Sequence, residues 1–357
     1  MKPISPSPSA CSKAQIRLYL SVVRYQDDHA KNGQLPPPTL QTLHVLNHLH
    51  LVTFPFDSSA MHYTDAHTMP ITPDGIFQWA VVDSRGGSYC FGLNTLLLKG
   101  LKGLGFLAYG GGGNFEPWIY PIQDLTPCGH MVVFVQISGA GVGEDADSVT
   151  GGERETWFVD VRFGGTGPVR PLRLSEDEGD VVMGNASTPW WRLERFFARA
   201  DTVPEDAASW ESTYAFSEAA YSVADYEHAS ECITTIPCSG RFWWNIVAVE
   251  YFTLEVLHHR KRAVPEEEIA VQHLGHRDVQ YGRYTLNGEV FNKTVGAQSE
   301  VRVLVTEKER IGVLMEVFGV RYEDEERAEK CMTGRDAEIG SGFVLPLPLW
   351  QTVSGGE

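Results

Sequence analysis

The chain has 357 residues, of which 43% are hydrophobic and 21% charged, as is typical of a folded globular protein of about two or three domains. Its formal net charge of -17 argues against nucleic acid as a partner, because phosphate binding needs a basic face. No run of about 18 or more apolar residues occurs, so no membrane span is expected.

The number and spacing of the cysteines indicate the cellular compartment and whether a metal is bound. The six cysteines show neither C-x-x-C pairs nor zinc-ligand spacing, and a chain of this length does not depend on a disulfide framework. We therefore expect reduced thiols, a cytoplasmic protein and no bound metal.

The first third of the chain predicts a helical domain. Residues 1–12 are rich in proline and serine and are expected to form a disordered leader. Amphipathic helices are predicted over 14–29 and 39–51, on either side of three consecutive prolines. Another helix is predicted to begin at Cys90, because leucines recur at helical spacing after it. The domain is assigned to residues 13–105, and His44 and His48 are expected on its surface.

The central third predicts an antiparallel barrel or sandwich over residues 106–222. Short β-branched and aromatic runs alternate there with glycine, proline and acidic loops. The glycine run 110–113 lacks the ending of a phosphate-binding loop and is interpreted as a flexible connector.

The last third begins with a predicted helix over 223–236 that leads into a final domain, 237–357. Strand patterns occur at 284–286 and 301–305, and one helix is predicted over 307–318. The apolar run 342–346 is expected either to fold back toward a functional site or to cap the core of this domain.

Cys90 is the strongest candidate for chemistry. It stands where the turn Arg85-Gly86-Gly87-Ser88-Tyr89 gives way to a helix. Unpaired N–H groups and the partial positive charge of a helix start favour thiolate, the nucleophilic form of cysteine. The alternative is a buried structural cysteine.

Two later residues complete a catalytic pattern with Cys90. His130 opens a strand-like apolar run, and Asp160 interrupts a second one over 157–163. Burying that carboxylate is costly unless a group such as a neighbouring imidazole bonds it. Taken singly, the histidine reads as a rim residue and the aspartate as edge-exposed. Together, Cys90, His130 and Asp160 predict a nucleophile, a base and a residue that orients the base.

The segments around these residues resemble those of the arylamine N-acetyltransferase family, of its fungal or bacterial type. Residues 85–90 are similar to the family's Arg-Gly-Gly-x-Cys segment, 127–131 to its Pro-x-x-His-Met strand and 159–164 to its Val-Asp-Val-Gly-Phe-Gly strand. Two further matches lie at 50–57 and at 306–320. This chain departs from the pattern at three positions. Asp57 stands where the family has glutamate, Arg162 stands where it has glycine, and Ser88 is an extra residue.

The resemblance implies an α+β fold with an N-terminal helical bundle, a central antiparallel β-barrel and a C-terminal α/β lid. It also implies an acyl-CoA-dependent enzyme of xenobiotic detoxification, with acyl-CoA as co-substrate, no permanently bound cofactor and ping-pong kinetics. An acyl group (acetyl, malonyl or propionyl) would pass through a Cys90 thioester to an arylamine or hydrazine. Phe56, Tyr89 and Phe163 would line the acceptor pocket.

Two arginines receive predictions of their own. Because residues i and i+2 of a strand share a face, Arg162 is expected beside Asp160, where it would bind the free carboxylate of a malonyl group. Contact with CoA phosphate and simple exposure to solvent are the alternatives. Arg85 is expected either to pair with Asp57 or to be exposed.

Two other functional classes stay open at this point. The same triad order serves cysteine hydrolases and transglutaminase-like enzymes, and the extra Ser88 is compatible with a catalytically silent binding protein. The sequence leaves open the natural amine, the acyl group and the oligomeric state.

Overall fold

The structure, a computed structural model, describes residues 11–27, 29, 32–114, 129–138, 154–165, 167–174, 190–197, 209–237, 240–254 and 279–341. The predicted leader, except for its last two residues, and the apolar run 342–346 lie outside these ranges.

The N-terminal part is helical, as predicted. Its helices are α1 (Lys13–Val22), α2 (Leu40–Thr53), α3 (Ala60–Tyr63), α4 (Pro73–Ile76), which continues as a π-helical turn over Phe77–Val82, and α5 (Cys90–Gly103). Helix α1 ends seven residues before the predicted boundary, since Arg24 adopts a left-handed backbone conformation with φ +57.

Helix α2 is buried along most of its length, so it is not the amphipathic helix that was predicted. His48 is buried, and its Nδ1 lies 2.6 Å from the Tyr281 hydroxyl. The His44 ring packs edge-on against Trp157. The expectation that both histidines lie on the surface is therefore wrong for His48 and incomplete for His44.

The central part forms a six-stranded antiparallel sheet in the order β5-β4-β3-β2-β7-β6. The strands are β2 (Leu107–Asn114), β3 (His130–Ser138), β4 (Arg154–Val159), β5 (Leu172–Arg173), β6 (Trp190–Phe197) and β7 (Ser209–Ala220). Val133 of β3 pairs with Val159 of β4, so the residue after β4 comes to lie beside the start of β3.

The glycine run 110–113 is not a connector but the interior of strand β2. Its residues pair with β3 from Val133 to His130. A Cβ at Gly110 would collide with the Tyr226 hydroxyl, and one at Gly111 would collide with the Phe134 ring. Neighbouring aromatic side chains therefore occupy the space that larger residues would need.

The C-terminal part contains a second antiparallel sheet in the order β1-β8-β9-β10-β11. Its strands are β1 (Phe56–Asp57), β8 (Val247–Thr253), β9 (Tyr281–Asn287), β10 (Val290–Val295) and β11 (Gln298–Val303). Strand β1 comes from the segment predicted as purely helical, which corrects that part of the prediction. Two helices, α7 (Glu307–Glu316) and α8 (Glu325–Met332), follow the sheet instead of the predicted one.

Helix α6 (Val223–Thr235) confirms the predicted helix between the two sheets and begins with a capping box at Ser222. The largest hydrophobic core joins α1, α2, α5 and α6 to the inner faces of β3 and β8. Helix α5 lies inside this core, because buried residues occur on all its sides. The fold is thus a mixed α/β structure in which the first residue of a central helix lies between two antiparallel sheets.

Candidate active site

The turn before Cys90 is fixed by close backbone contacts. A Cβ at Gly87 would collide with the Pro55 carbonyl, so only glycine fits there. The extra Ser88 is buried, forms a parallel bridge with Phe56 and donates from Oγ to the Pro70 carbonyl over 3.0 Å. The insertion is therefore part of an ordered turn rather than a distortion of it.

Cys90 is the first residue of α5, as the sequence predicted, and Tyr89 is its N-cap. The thiol is buried and in hydrogen-bonding contact with the His130 imidazole. The helix start adds a favourable field for negative charge at sulfur. This arrangement suits a thiolate paired with an imidazolium.

His130 and Asp160 form the second half of the predicted triad. His130 Nε2 lies 2.7 Å from Asp160 Oδ2, and both side chains are buried. Burial alone would lower the pKa of His130, but the charge of Asp160 and the contact with Cys90 outweigh it and raise the pKa to about 10. Burial likewise opposes ionisation of Asp160, yet His130 and further hydrogen bonds hold its pKa below the usual range.

The Asp160 carboxylate accepts three more hydrogen bonds. The Tyr214 hydroxyl donates to Oδ2 over 2.5 Å, while Asn94 Nδ2 and the backbone N–H of Arg162 each donate to Oδ1 over 3.0 Å. With His130 they cover both oxygens, so the buried charge is fully solvated by protein groups.

Asn94 and Tyr214 were not predicted from the sequence. Asn94 carries a signal in retrospect, because it is a polar residue four positions after Cys90 and so lies on the same face of the helix. Tyr214 carries none, since it approaches Asp160 from strand β7, 54 positions away in the chain.

Aromatic side chains surround the triad. The Phe163 ring packs edge-on against His130 at 5.0 Å between centroids and lies 4.5 Å from Tyr214. Tyr89 is fully buried, and its hydroxyl is bonded to Ser230. Phe242, which sequence analysis missed, lies 5.7 Å from the Tyr89 ring and 6.0 Å from Phe56. Of the three predicted aromatic residues, Phe163 contacts His130, Tyr89 directly precedes Cys90, and Phe56 forms a backbone bridge with Ser88 in the turn before it.

Arg162 does not occupy its predicted place. Its guanidinium is fully buried and donates to the carbonyls of Leu51 and Val249. The alternation of an extended strand does not reach it, because β4 ends at Val159. These contacts leave it neither on the solvent side nor free to bind an acyl carboxylate.

Arg85 and Asp57 also do not pair. Arg85 forms an ion pair with Glu323 and stacks over Trp79 at 5.3 Å. The Asp57 carboxylate accepts hydrogen bonds from Ser59 N over 2.8 Å and Ser59 Oγ over 2.9 Å. Burial raises the pKa of Asp57 to about 6, although the Ser59 bonds act in the opposite direction.

Within the described residues, no group of three or more histidine, cysteine, aspartate or glutamate side chains is placed to hold a metal ion. Of the helices in the same part of the chain, none is long and apolar enough to cross a membrane.

A buried arrangement of cysteine, histidine and aspartate at a helix start is typical of enzymes that use a cysteine nucleophile. The family model described as N-acetyltransferase matches residues 39–256. The chain belongs to the arylamine N-acetyltransferase family. It is accordingly an N-acyltransferase of that family.

Individual relatives are distant and match different shares of the chain. It is 24% identical over 354 residues to the N-malonyltransferase FDB2 of Fusarium pseudograminearum, covering 90% of this chain and 92% of that protein. It is 28% identical over 205 residues to the arylamine N-acetyltransferase of Mycobacterium tuberculosis, which covers 57% of this chain and 65% of that protein.

Solved structures share the fold. The Nocardia farcinica arylamine N-acetyltransferase superposes with a TM-score of 0.62 at 21% identity, covering 90% of this chain and 94% of that one. The Mycobacterium marinum enzyme in complex with CoA gives a TM-score of 0.59 at 20% identity, covering 89% and 98%.

Proposed function

We propose that this enzyme transfers an acyl group from acyl-CoA to an arylamine or hydrazine through a thioester on Cys90. The observation that carries the proposal is the assembly of Cys90, His130 and Asp160, with Sγ in contact with an imidazole whose Nε2 bonds the carboxylate over 2.7 Å. Such an arrangement supplies a nucleophile at neutral pH and a group that can move a proton.

In the first half-reaction the Cys90 thiolate attacks the carbonyl carbon of the acyl-CoA thioester. A bond from Sγ to that carbon forms, the carbon–sulfur bond to CoA breaks, and the departing CoA sulfur takes the proton of the His130 imidazolium. Asp160 keeps the imidazole oriented throughout, as in other triads.

In the second half-reaction the amine nitrogen attacks the acyl-Cys90 carbonyl. His130, now neutral, accepts the proton that the nitrogen loses, the amide bond forms, and Cys90 leaves as a thiolate. The site returns to its starting charges, so both substrates use the same thiol in turn and ping-pong kinetics follow.

The aromatic surroundings support an aromatic acceptor. Phe163 lies on His130, and Phe56 and Phe242 lie beside the turn that presents the thiol. Flat apolar side chains of this kind stack favourably on an aromatic ring. They also keep water from the acyl-cysteine, whose hydrolysis would waste the intermediate.

The acyl donor is a short-chain acyl-CoA. The similarity to an N-malonyltransferase supports malonyl-CoA as a donor in addition to acetyl-CoA. Propionyl-CoA tests how large an acyl group the site accepts. Among the described residues, Cys90, Cys232 and Cys331 form no disulfide, which supports action in the reducing cytoplasm, where we place a role in detoxifying aromatic amines.

The decisive experiment separates acylation from transfer. The protein is incubated with malonyl-CoA or acetyl-CoA without amine, and peptide mass spectrometry should find one acyl group on the peptide that contains Cys90. Adding an aromatic amine should remove that mass and yield the amide, whereas Cys90→Ala should release no CoA. An acyl group on another cysteine, or full activity in Cys90→Ala, would refute the mechanism.

The same samples distinguish the alternative classes. A hydrolase would release the acyl group as free acid at the same rate with and without amine. A silent binding protein would release no CoA, and iodoacetamide would label its Cys90 no faster than Cys232 or Cys331.

A further inference from the structure

Arg162 is a buried cation held by backbone carbonyls. Its side chain is fully buried, Nη1 donates to the Val249 carbonyl over 3.4 Å and Nη2 donates to that of Leu51. Its Nε has no hydrogen-bond partner among the described residues. Burial lowers the pKa of Arg162 to about 10, against the effect of the nearby Glu250 carboxyl, so the group is charged at neutral pH.

The two carbonyls belong to different parts of the fold. Leu51 lies in the last turn of α2, where carbonyls lack helical partners and the helix dipole favours a cation. Val249 lies in strand β8 and pairs directly with Phe56 of strand β1, which follows α2 in the chain. The guanidinium thus holds together the two segments that fix the position of Phe56.

The same residue also contacts the triad through its main chain. The Arg162 N–H donates to Asp160 Oδ1 over 3.0 Å. Asp160 and Arg162 are separated by a single residue, so little freedom remains between the anchored guanidinium and the carboxylate. Moving the Arg162 side chain would therefore shift this hydrogen bond and, through Asp160, the orientation of His130.

We propose that Arg162 is a positioning residue that links the Asp160 carboxylate to the segments that hold Phe56. One side chain then sets both the orientation of His130 and the position of the acceptor. The part that concerns the acceptor rests on the proposed function. The part that concerns the thiol does not.

The first test measures the rate of Cys90 alkylation by iodoacetamide against pH, without substrates. In Arg162→Met the half-maximal rate should be reached at higher pH than in the wild type, and the rate at pH 7 should fall about tenfold, since small displacements in a site have effects of this size or larger. Asp160→Asn, which removes the carboxylate charge itself, gives the largest expected change in the alkylation profile for comparison.

Arg310→Met is the matched control. Arg310 is also fully buried, and it bonds Glu307 and the Ala337 carbonyl away from the triad. Its loss should lower the Tm and leave the alkylation profile unchanged. If Arg162→Met also lowers only the Tm, Arg162 is merely structural and the proposal fails.

The second test uses steady-state kinetics. Arg162→Met should lower kcat/KM for malonyl-CoA and acetyl-CoA by the same factor and raise KM for the aromatic amine, and Arg162→Lys should recover part of both losses. A changed ratio between the two donors would overturn positioning in favour of direct contact with the acyl group.

If Arg162→Met does not fold, Arg162→Lys decides, because an ammonium lacks the planar fork with which the guanidinium reaches both carbonyls. A wild-type profile and wild-type kinetics in that variant would overturn the proposal. If the Arg162 variant shifts the alkylation profile but the wild type transfers no acyl group to amines, the proposed function is refuted and the role of Arg162 stands.

Discussion

Asn94 Nδ2 donates to Asp160 Oδ1 over 3.0 Å from a position one helical turn after Cys90. The helix that begins at Cys90 therefore also holds Asp160, the residue that the proposed mechanism assigns to orienting His130. The same amide donates to the Met131 carbonyl over 2.8 Å, and its oxygen accepts from Val161 N over 3.2 Å. Helix α5 and the ends of β3 and β4 are thus fixed to one another by a single side chain.

Replacing Asn94 by alanine should reduce both stability and rate. The Met131 carbonyl and the Val161 N–H would be left buried and unpaired, which costs about 1–3 kcal/mol in unfolding free energy. Asp160 would lose one of its four hydrogen bonds, and kcat should fall at least about tenfold. Urea unfolding and initial rates measure the two effects. Thr95→Val, a neighbouring buried change on the same helix, should leave kcat nearly unchanged.

Tyr214→Phe removes one hydroxyl and leaves the ring that packs against His130 and Phe163. A hydrogen bond to a charged group contributes about 1.5–3 kcal/mol, so kcat should fall about tenfold or more if that bond is maintained in the transition state. Steady-state kinetics with a saturating donor measure the change. Tyr109→Phe is the control, because its hydroxyl bonds the Glu218 carbonyl in the same sheet over 3.1 Å. Equal rates in both variants would remove Tyr214 from the site.

Gly111→Ala should destabilise the central sheet. The new Cβ would collide with the Phe134 ring, and overpacking of this kind costs about 1–3 kcal/mol. Gly312 lies in helix α7 with no atom within 4 Å of an added Cβ, so Gly312→Ala should instead stabilise by up to about 1 kcal/mol. Thermal unfolding should therefore shift in opposite directions for the two substitutions, and the same direction in both would contradict the packing argument.

Acid should destabilise the fold partly through His48. Burial lowers the pKa of His48 to about 4, whereas an unfolded chain has a value near 6.5. The unfolded state therefore binds the proton first, and the stability that the neutral imidazole contributes is lost as the pH falls from about 6.5 through 4.

His48→Gln should weaken this dependence. The amide can still bond Tyr281 but takes up no proton, so the variant should lose about 2 kcal/mol less than the wild type between pH 7 and pH 4.5. Urea unfolding at several pH values measures the difference. His228→Gln, at an exposed position of α6, controls for removing an imidazole from the surface. A loss as large in His48→Gln as in the wild type would assign the acid sensitivity to other groups.

The sequence by itself determined the parts of this protein that depend on local pattern. Leucine spacing and the glycine turn placed the start of α5 at Cys90, and Asp160 stood out because a carboxylate in an apolar strand needs a partner. The same patterns named His130 as that partner. The helix predicted over 223–236 was found within one residue of its predicted end.

Only the tertiary structure decided which distant groups complete the site. Tyr214 reaches Asp160 across strand pairing, and Phe242 reaches Phe56 from a different part of the chain, and neither contact leaves a local signal. The glycine run 110–113 is a strand because it pairs with β3, and the side chains of Tyr226 and Phe134 occupy the space that a Cβ would need at Gly110 and Gly111. Arg162 does not lie on the predicted face, because strand β4 ends three residues before it. Its buried side chain instead bonds the carbonyls of Leu51 in α2 and Val249 in β8. Side-chain alternation holds only within a strand, and where a strand ends is set by the packing of its neighbours.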